Sequence, residues 1–242
     1  SYAVKNKIKY FKNGIFKIPL KDVDEVFKPE ERLSEALTYR EVRRVVEFFK
    51  GIPNEYMGVT GSRLIGLIGE ESDVDFVMYG NWWFKGREKI KRGIERNEIL
   101  EPDSETWNFI YEKRRVNIPY DLFLVHEKRK YHRAFIKDTY FDLLYVRDYS
   151  ELGRKIPEDK GLKLGKKTII AKVVDDSYIF DYPAYYAVAH SEIKAVLSFT
   201  HTYVGQGFKN ETIEAKGEVE LIGKDKYLIV GSKRAVSYTH LT

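Results

Sequence analysis

The chain has 242 residues, of which 43% are hydrophobic and 14% aromatic, enough for the core of one large domain or two small ones. It contains no cysteine, which excludes disulfide bonds and thiolate metal sites, and no run of about 18 apolar residues that would cross a membrane. The net charge is +5, which suits a polyanionic partner without requiring one.

The composition also indicates where such a protein works. No secretory leader is visible in the sequence, and together with the lack of cysteine this favours a cytoplasmic protein without a membrane partner. Charged residues make up 33% of the chain and there are only two methionines, a profile typical of thermophilic proteins.

Residues 1–37 are predicted to form an N-terminal extension that begins with a β-hairpin. Apolar residues alternate loosely on both sides of Asn13-Gly14, a pair that favours a two-residue type I′ turn. The stretch 21–37 is charged and irregular and shows no motif with evident chemistry.

A helix is predicted from Thr38 onwards. Thr38-Tyr39-Arg40-Glu41 has the pattern of a capping box. Apolar residues at positions 42, 45, 46 and 49 then repeat at the spacing of one helix face, and Gly51 and Pro53 end the pattern.

The stretch that follows has features of a phosphate site. Residues 56–59 form a short apolar run that predicts a strand, and Gly61-Ser62 comes directly after it. Glycine can adopt unusual backbone angles, and residues 63–68 could form one or two helical turns. Backbone N–H groups at the start of such a turn, with the Ser62 hydroxyl, suit a phosphate.

Asp73-Val74-Asp75 opens the next predicted strand, which continues to residue 79. Alternate residues of a strand point to the same face, so Asp73 and Asp75 are expected to project together while Val74 enters the core. Adjacent carboxylates repel each other unless a cation lies between them, and oxygen ligands suit a hard divalent ion such as Mg²⁺. A phosphate site close to such a pair indicates phosphoryl or nucleotidyl transfer.

Further helices and a strand are predicted downstream. The basic side of an amphipathic helix over 82–96 is interpreted either as a solvated face or as a surface for nucleic acid or triphosphate. A helix over 104–113 is followed by the basic cluster Lys113-Arg114-Arg115. A second helix over 120–131 has Asn117 as its expected cap, and residues 139–146 predict a strand.

The C-terminal region reads as a separate β-rich unit over 151–235. Glycine, proline and charged residues over 150–166 predict a linker, and the strand-like runs beyond it predict a small barrel or open β-domain. These runs cover residues 168–175, 177–180, 194–200, 212–222 and 226–231.

The aromatic residues of this unit are open to two interpretations, while the histidines have one expected role. The rings could form a base-stacking platform or the core of the barrel, and the histidines are expected to be surface or core residues rather than metal ligands. The rings are Tyr185, Tyr186, Phe199, Tyr203 and Phe208, and the histidines are His190 and His201.

Residues 236–242, Val-Ser-Tyr-Thr-His-Leu-Thr, are expected to be an artefact. A transposase adapter used in sequencing libraries encodes this string when it is translated in frame. We therefore interpret the segment as adapter read-through and do not consider His240 a ligand.

Gly61-Ser62 followed by Asp73-Val74-Asp75 on an apolar strand resembles the signature of the DNA polymerase β-like nucleotidyltransferase superfamily, over roughly residues 38–148. The C-terminal unit is similar to the accessory β-domain of archaeal predicted members. The resemblance implies an α+β fold in which a mixed sheet flanked by helices, over 38–150, is followed by a small β-barrel-like domain.

The resemblance also implies a third carboxylate on a later strand, and there are two candidates. Asp121 lies in an expected helical first turn, where an acidic residue already favours the helix dipole. Asp142 lies mid-strand among bulky apolar residues, where a carboxylate is costly to bury unless it is coordinated. We prefer Asp142.

The roles implied by the resemblance are those of a metal-dependent nucleotidyltransferase. Asp73, Asp75 and Asp142 would hold two Mg²⁺ ions, with Mn²⁺ as the alternative, while Gly61 and Ser62 bind the phosphates of an NTP such as ATP. Arg63 is interpreted either as a further phosphate-binding residue or only as a helix-surface charge. The acceptor could be an RNA end, a protein side chain or a small molecule, and the oligomeric state is left open. The rival hypothesis is a non-catalytic module of the same fold that binds RNA.

Overall fold

The computed structural model describes residues 11–12, 15–16, 18–67, 73–115, 118–151, 156–157, 161–231 and 239–241. A four-stranded mixed sheet flanked by helices is followed by a second, larger sheet, which confirms the α+β prediction. No helix within the described ranges combines the length and the apolar composition that crossing a membrane requires.

The N-terminal hairpin is present. Strand β1 (Phe11–Lys12) pairs antiparallel with β2 (Ile15–Phe16), with Lys12 opposite Ile15. This register leaves two residues for the turn, as predicted, although Asn13 and Gly14 themselves lie outside the described residues.

The helix predicted from Thr38 onwards forms, but the capping box predicted at its start does not. Helix α2 (Arg40–Phe48) follows the short helix α1 (Leu33–Ala36) and buries Val42, Val45 and Phe49 completely. The Thr38 hydroxyl donates to the carbonyl oxygen of Glu35 at 2.8 Å, so it closes the end of α1 and does not cap α2. Two helices so close in sequence compete for one capping side chain.

The first sheet has the order β3-β4-β6-β5, in which β4 and β6 are parallel and the outer pairs are antiparallel. The crossover between the parallel strands carries three helices. The elements are β3 (Met57–Val59), β4 (Val74–Tyr79), α3 (Asn81–Glu95), α4 (Ser104–Arg114), α5 (Tyr120–Lys128), β5 (Arg133–Ile136) and β6 (Thr139–Val146).

Helix α3 packs closely on the sheet because of its glycines. A Cβ atom on Gly86 would lie 2.6 Å from the Met78 sulfur, so a larger residue there would force the buried Met78 side chain to shift. On the polar side, Arg87 donates to the carbonyl oxygens of Lys130 and Arg129, and Lys89 donates to that of Lys50. These bonds show that Arg87 and Lys89 contact the protein's own main chain, which neither the solvated-face nor the nucleic-acid interpretation had predicted.

The second sheet closes on itself, in agreement with the predicted barrel-like domain. Its strands pair in the ring β7-β8-β9-β11-β10-β7, with only β9 and β11 parallel. The strands are β7 (Leu162–Tyr178), β8 (Ala184–Ala189), β9 (Ala195–Ser198), β10 (Thr212–Ile222) and β11 (Asp225–Val230). Strand β12 (Thr239–Leu241), within the segment interpreted as adapter-derived, pairs with the first part of β10.

Three sequence predictions for this region need correction. Residues 162–166 belong to β7 and not to a linker, because Leu162 pairs with Leu221 of β10. Strand β8 was missed, while the run 177–180 is strand only to Tyr178. Among the rings that are open to two interpretations, Tyr186 and Tyr203 are 3% and 6% exposed, which favours the core interpretation for these two.

The two sheets share packed side chains. Trp83 of α3 lies with its ring centroid 4.5 Å from that of Phe180, which follows β7. Arg147 bonds to Asp181 through Nε at 2.7 Å, and Arg129 forms an ion pair with Glu211. Apolar and charged contacts therefore both fix which side of the second sheet faces the first sheet.

Candidate active site

Asp75 and Asp142 lie side by side on the two parallel strands. They are direct partners in the register of β4 and β6 and so project from the same face of the sheet. Val74, the neighbour of Asp75, is fully buried on the other face, and so is Phe141 beside Asp142. The two carboxylates therefore share one face, while the residues before them anchor the strands in the core.

Asp73 lies one residue before β4 and is exposed. Its main-chain oxygen accepts a hydrogen bond from Nε of Arg63 at 3.2 Å. Arg63 is only 7% exposed, and its Nη1 lies 3.8 Å from Glu41 Oε2. Arg63 thus ties the turn after β3 to the start of β4.

Gly61 lies against the carboxylate of Asp75. It opens a 3-10 turn (Gly61–Arg63) with φ of +65°, and a Cβ atom there would collide with Asp75 Oδ2. The Thr60 N–H donates to the main-chain oxygen of Asp75 at 2.9 Å. Ser62 is half-exposed in the turn.

The carboxylates carry more negative charge than their surroundings compensate. Burial raises the pKa of Asp75, and Asp142 and Asp73 raise it further, against smaller opposite effects of Lys113 and Arg133. Among the residues that the structure describes, no three His, Cys, Asp or Glu side chains are arranged so that they could together hold a metal ion. The pair Asp75 and Asp142 does offer carboxylate oxygens, the ligands that a hard divalent cation takes.

Asp142 is held by two residues that the sequence reasoning missed. The Tyr140 hydroxyl donates to Asp142 Oδ1 at 2.7 Å, and Arg133 Nε lies 3.0 Å from the same oxygen. Tyr140 precedes Asp142 by two positions, which is a signal in the sequence for a shared strand face. Arg133 is its partner across β5 and β6, and nothing local indicates that pairing.

A buried charged cluster lies behind Asp142. Glu127 of α5 is 1% exposed and forms ion pairs with Lys130, Arg114 and Arg133. Burial acts to raise the pKa of Glu127, but these cations outweigh it and hold the pKa well below its usual range. Burial lowers the pKa of Lys130 to about 8. The ion pairs of this cluster therefore hold Arg133 in position next to Asp142.

Two cavities meet at Asp142. The larger, of about 1120 Å³, lies between the two sheets and contacts Thr60 and Asp75. The smaller, of about 580 Å³, contacts Arg63 and Asp73. Both are lined by Arg114, Arg133 and Asp142.

Other predicted residues lie elsewhere. Asp121 is exposed in the first turn of α5 and is absent from the described lining of both cavities. Ser62 is likewise absent from the described lining. Asn117, the expected cap of α5, lies outside the described residues.

Replacement of Arg133 by methionine is expected to lower the free energy of unfolding by about 3–5 kcal/mol. The change leaves Asp142 without its cation and removes one of the three cations around Glu127, and the loss of one partner of a buried ion pair costs this much. Urea denaturation of the variant and the wild type measures this difference in the free energy of unfolding.

The matched control is Arg40→Met. Arg40 pairs with Asp138 at 3.3 Å, but both side chains are 61% exposed, so a change of about 0–1 kcal/mol is expected. Equal effects of the two substitutions would contradict a structural role for the buried cluster.

Comparisons with known proteins point to one family. A family model described as a nucleotidyltransferase domain matches residues 40–167. An uncharacterized protein of Methanocaldococcus jannaschii is 38% identical in an alignment of 195 residues, which covers 76% of this chain and 57% of that protein. The chain therefore spans little more than half the length of this curated relative. The relative comes from an archaeon, and the C-terminal unit likewise resembles a domain of archaeal proteins. No solved structure matches the chain significantly.

Proposed function

Because the chain belongs to the nucleotidyltransferase domain family, we propose that it transfers a nucleoside monophosphate from an NTP to an acceptor hydroxyl and releases pyrophosphate. The observation that carries this proposal is the pairing of Asp75 with Asp142 on parallel strands, with Gly61 packed against Asp75. A carboxylate pair next to a glycine turn serves to bind a polyphosphate through a cation.

The reaction is proposed to depend on a divalent metal. Asp73, Asp75 and Asp142 offer only oxygen ligands, and the raised pKa of Asp75 comes from burial and from neighbouring carboxylates that a cation would compensate. We propose that these three residues hold two Mg²⁺ ions, with Mn²⁺ as the alternative. When bound, the ions neutralise charge on the triphosphate and lower the pKa of the attacking hydroxyl.

The residues of the chain have distinct roles in this proposal. The turn at Gly61 and Ser62 lies against Asp75 and is proposed to bind the β- and γ-phosphates through backbone N–H groups and the serine hydroxyl, although Ser62 is outside the described lining of both cavities. Arg63 keeps that turn joined to Asp73 through the hydrogen bond from its Nε, and serves as a phosphate neighbour from the wall of the smaller cavity. Tyr140 and Arg133 orient Asp142.

The chemical step is a substitution at the α-phosphorus. The acceptor oxygen forms a bond to this phosphorus while the bond to the bridging oxygen of the β-phosphate breaks, and pyrophosphate leaves with that oxygen. The proton of the acceptor hydroxyl passes to the carboxylate of Asp142. The acceptor hydroxyl must therefore lie close to Asp142.

The test is incubation with each of four labelled NTPs and Mg²⁺, with total RNA and total protein supplied as acceptors. We expect pyrophosphate release and labelled acceptor, both stopped by EDTA and restored by Mg²⁺ or Mn²⁺. Activity that persists in EDTA contradicts the metal-dependent mechanism. An inert protein that still binds RNA with a steep salt dependence would instead support the non-catalytic module.

A further inference from the structure

We propose that the acceptor is the 3′ end of a single-stranded RNA, whose last bases stack on Tyr182 and His201 at the wall of the larger cavity. This inference rests on the proposed function, and it names the substrate class that the same site accepts. The inference is supported by an aromatic platform, by the residues that line the cavity, by the volume of the cavity and by the topology of the second sheet.

The platform consists of two parallel rings. The rings of Tyr182 and His201 lie with centroids 5.0 Å apart and planes inclined by 18°. Tyr182 is 60% exposed, yet its hydroxyl donates to the carbonyl oxygen of Phe199 at 2.7 Å, which fixes the ring. A flat, fixed and solvent-facing ring pair is the surface on which unpaired bases stack.

The platform belongs to the same cavity as the carboxylates. Tyr182 and His201 line the larger cavity together with Asp75 and Asp142. Burial lowers the pKa of His201, and so do Arg114, Arg133 and Lys130, against an opposite effect of Asp142. An RNA end on the platform therefore extends toward the carboxylates.

Charge and size both suit a polynucleotide. Of the cations that line the cavity, the exposed Arg115 and the half-buried Arg114 can meet backbone phosphates. The buried Lys130 and Arg133 are instead paired with Glu127. Its volume of about 1120 Å³ lies above the ordinary range of about 300–1,000 Å³ for small-molecule sites. The space accommodates an NTP and the end of a polymer together.

The topology of the second sheet supports the same occupant. Strands β7, β8 and β9 pair consecutively, and β10 returns through residues 199–211 to lie beside β7, which is a Greek key. Five-stranded Greek-key barrels bind oligonucleotides through a face and through loops that include the connection between their first two strands. Tyr182 lies in the corresponding connection, between β7 and β8.

RNA is favoured over DNA by the hydroxyl groups on the same wall. Thr200 and Thr202 line the cavity next to His201. Side-chain hydroxyls of this kind can bond to the 2′-hydroxyl, the group by which proteins distinguish RNA from DNA.

Binding of a fluorescent 12-nucleotide RNA to the whole chain, measured by anisotropy without NTP, tests the platform. We expect Tyr182→Ala to raise the Kd about 5- to 100-fold, the effect of losing one stacked base. Tyr182→Phe should bind more tightly than Tyr182→Ala, because it keeps the ring for stacking and loses only the hydroxyl bond that fixes it. Thermal melts of each variant confirm that it is folded.

The matched control is Trp82→Ala on α3. The Trp82 ring lies 5.6 Å from that of Tyr56 and carries Lys85 at 3.8 Å, so it is an aromatic group beside a cation, but it is absent from the described lining of both cavities. Its Kd should not change. Weaker binding in Trp82→Ala with unchanged binding in Tyr182→Ala would place the RNA on α3 and overturn the inference.

Transfer assays separate this inference from the proposed function. We expect labelled NTP to extend an RNA that ends in a 3′-hydroxyl and not one that ends in a 3′-phosphate. Label that appears only on protein, or on DNA as efficiently as on RNA, overturns the RNA assignment while the transferase stands. RNA that binds through Tyr182 without any transfer to RNA or protein contradicts the transferase and the acceptor role, and leaves a binding site for RNA.

Discussion

Replacement of Asp75 by asparagine is expected to lower nucleotidyl transfer about 1,000-fold or more, with no loss of stability. The side chain keeps its shape but loses the charge that would hold the metal, and metal ions supply several kcal/mol of stabilisation to such transition states. Because burial and the neighbours Asp142 and Asp73 raise the pKa of Asp75, its charge disfavours the folded state without metal. The variant should therefore melt at the wild-type temperature or above it.

The control for this prediction is Asp121→Asn. Asp121 is an exposed carboxylate in the first turn of α5, outside the described lining of both cavities. Its replacement should leave transfer within about two-fold of the wild type and cost only the few tenths of a kcal/mol of a helix-dipole interaction. Pyrophosphate release and thermal melts in EDTA measure both quantities. An Asp75→Asn variant with wild-type transfer activity would contradict the assignment of Asp75 to the active site.

Replacement of Gly61 by alanine is expected to reduce transfer about 100-fold and to destabilise the protein by more than 2 kcal/mol. The positive φ of +65° alone costs an alanine about 1–2 kcal/mol. In addition, the new methyl group would collide with Asp75 Oδ2, so either the turn or the carboxylate must move. A misplaced catalytic group of this kind costs about 100-fold in rate.

Gly66→Ala separates the two causes. Gly66 has φ of +71°, close to that of Gly61, but a Cβ atom there meets nothing within 4 Å. This variant should show the backbone cost of about 1–2 kcal/mol and nearly unchanged transfer. If both glycine variants lost activity equally, the contact between Gly61 and Asp75 would not be what matters. Urea denaturation and initial rates of pyrophosphate release provide the comparison.

Local sequence patterns predicted the parts of the site that depend on neighbouring residues. The alternation of Asp73-Val74-Asp75 predicted a buried Val74 between two carboxylates, and Val74 is fully buried while Asp73 is exposed and Asp75 half-buried. The helix face of α2 and the strand 139–146 were also predicted correctly. In each case the periodicity of side chains along a single element carries the information.

Competition between neighbouring elements explains the local errors. Thr38 has the pattern of a helix cap, but its hydroxyl bonds to Glu35 at the end of the preceding helix. Residues 162–166 look like a linker because they are rich in glycine and lysine, yet pairing with β10 makes them part of β7. Long-range strand pairing outweighs weak local preference.

By itself, the sequence determined the glycine turn, the pair Asp73 and Asp75, and the family resemblance, because each depends on residues adjacent along the chain. Only the tertiary structure decided that Asp142, and not Asp121, lies beside Asp75, since this depends on the parallel register of β4 and β6. The same holds for Arg133, and for the platform of Tyr182 and His201. Strand register and cavity shape arise from contacts between distant segments, which no local periodicity encodes.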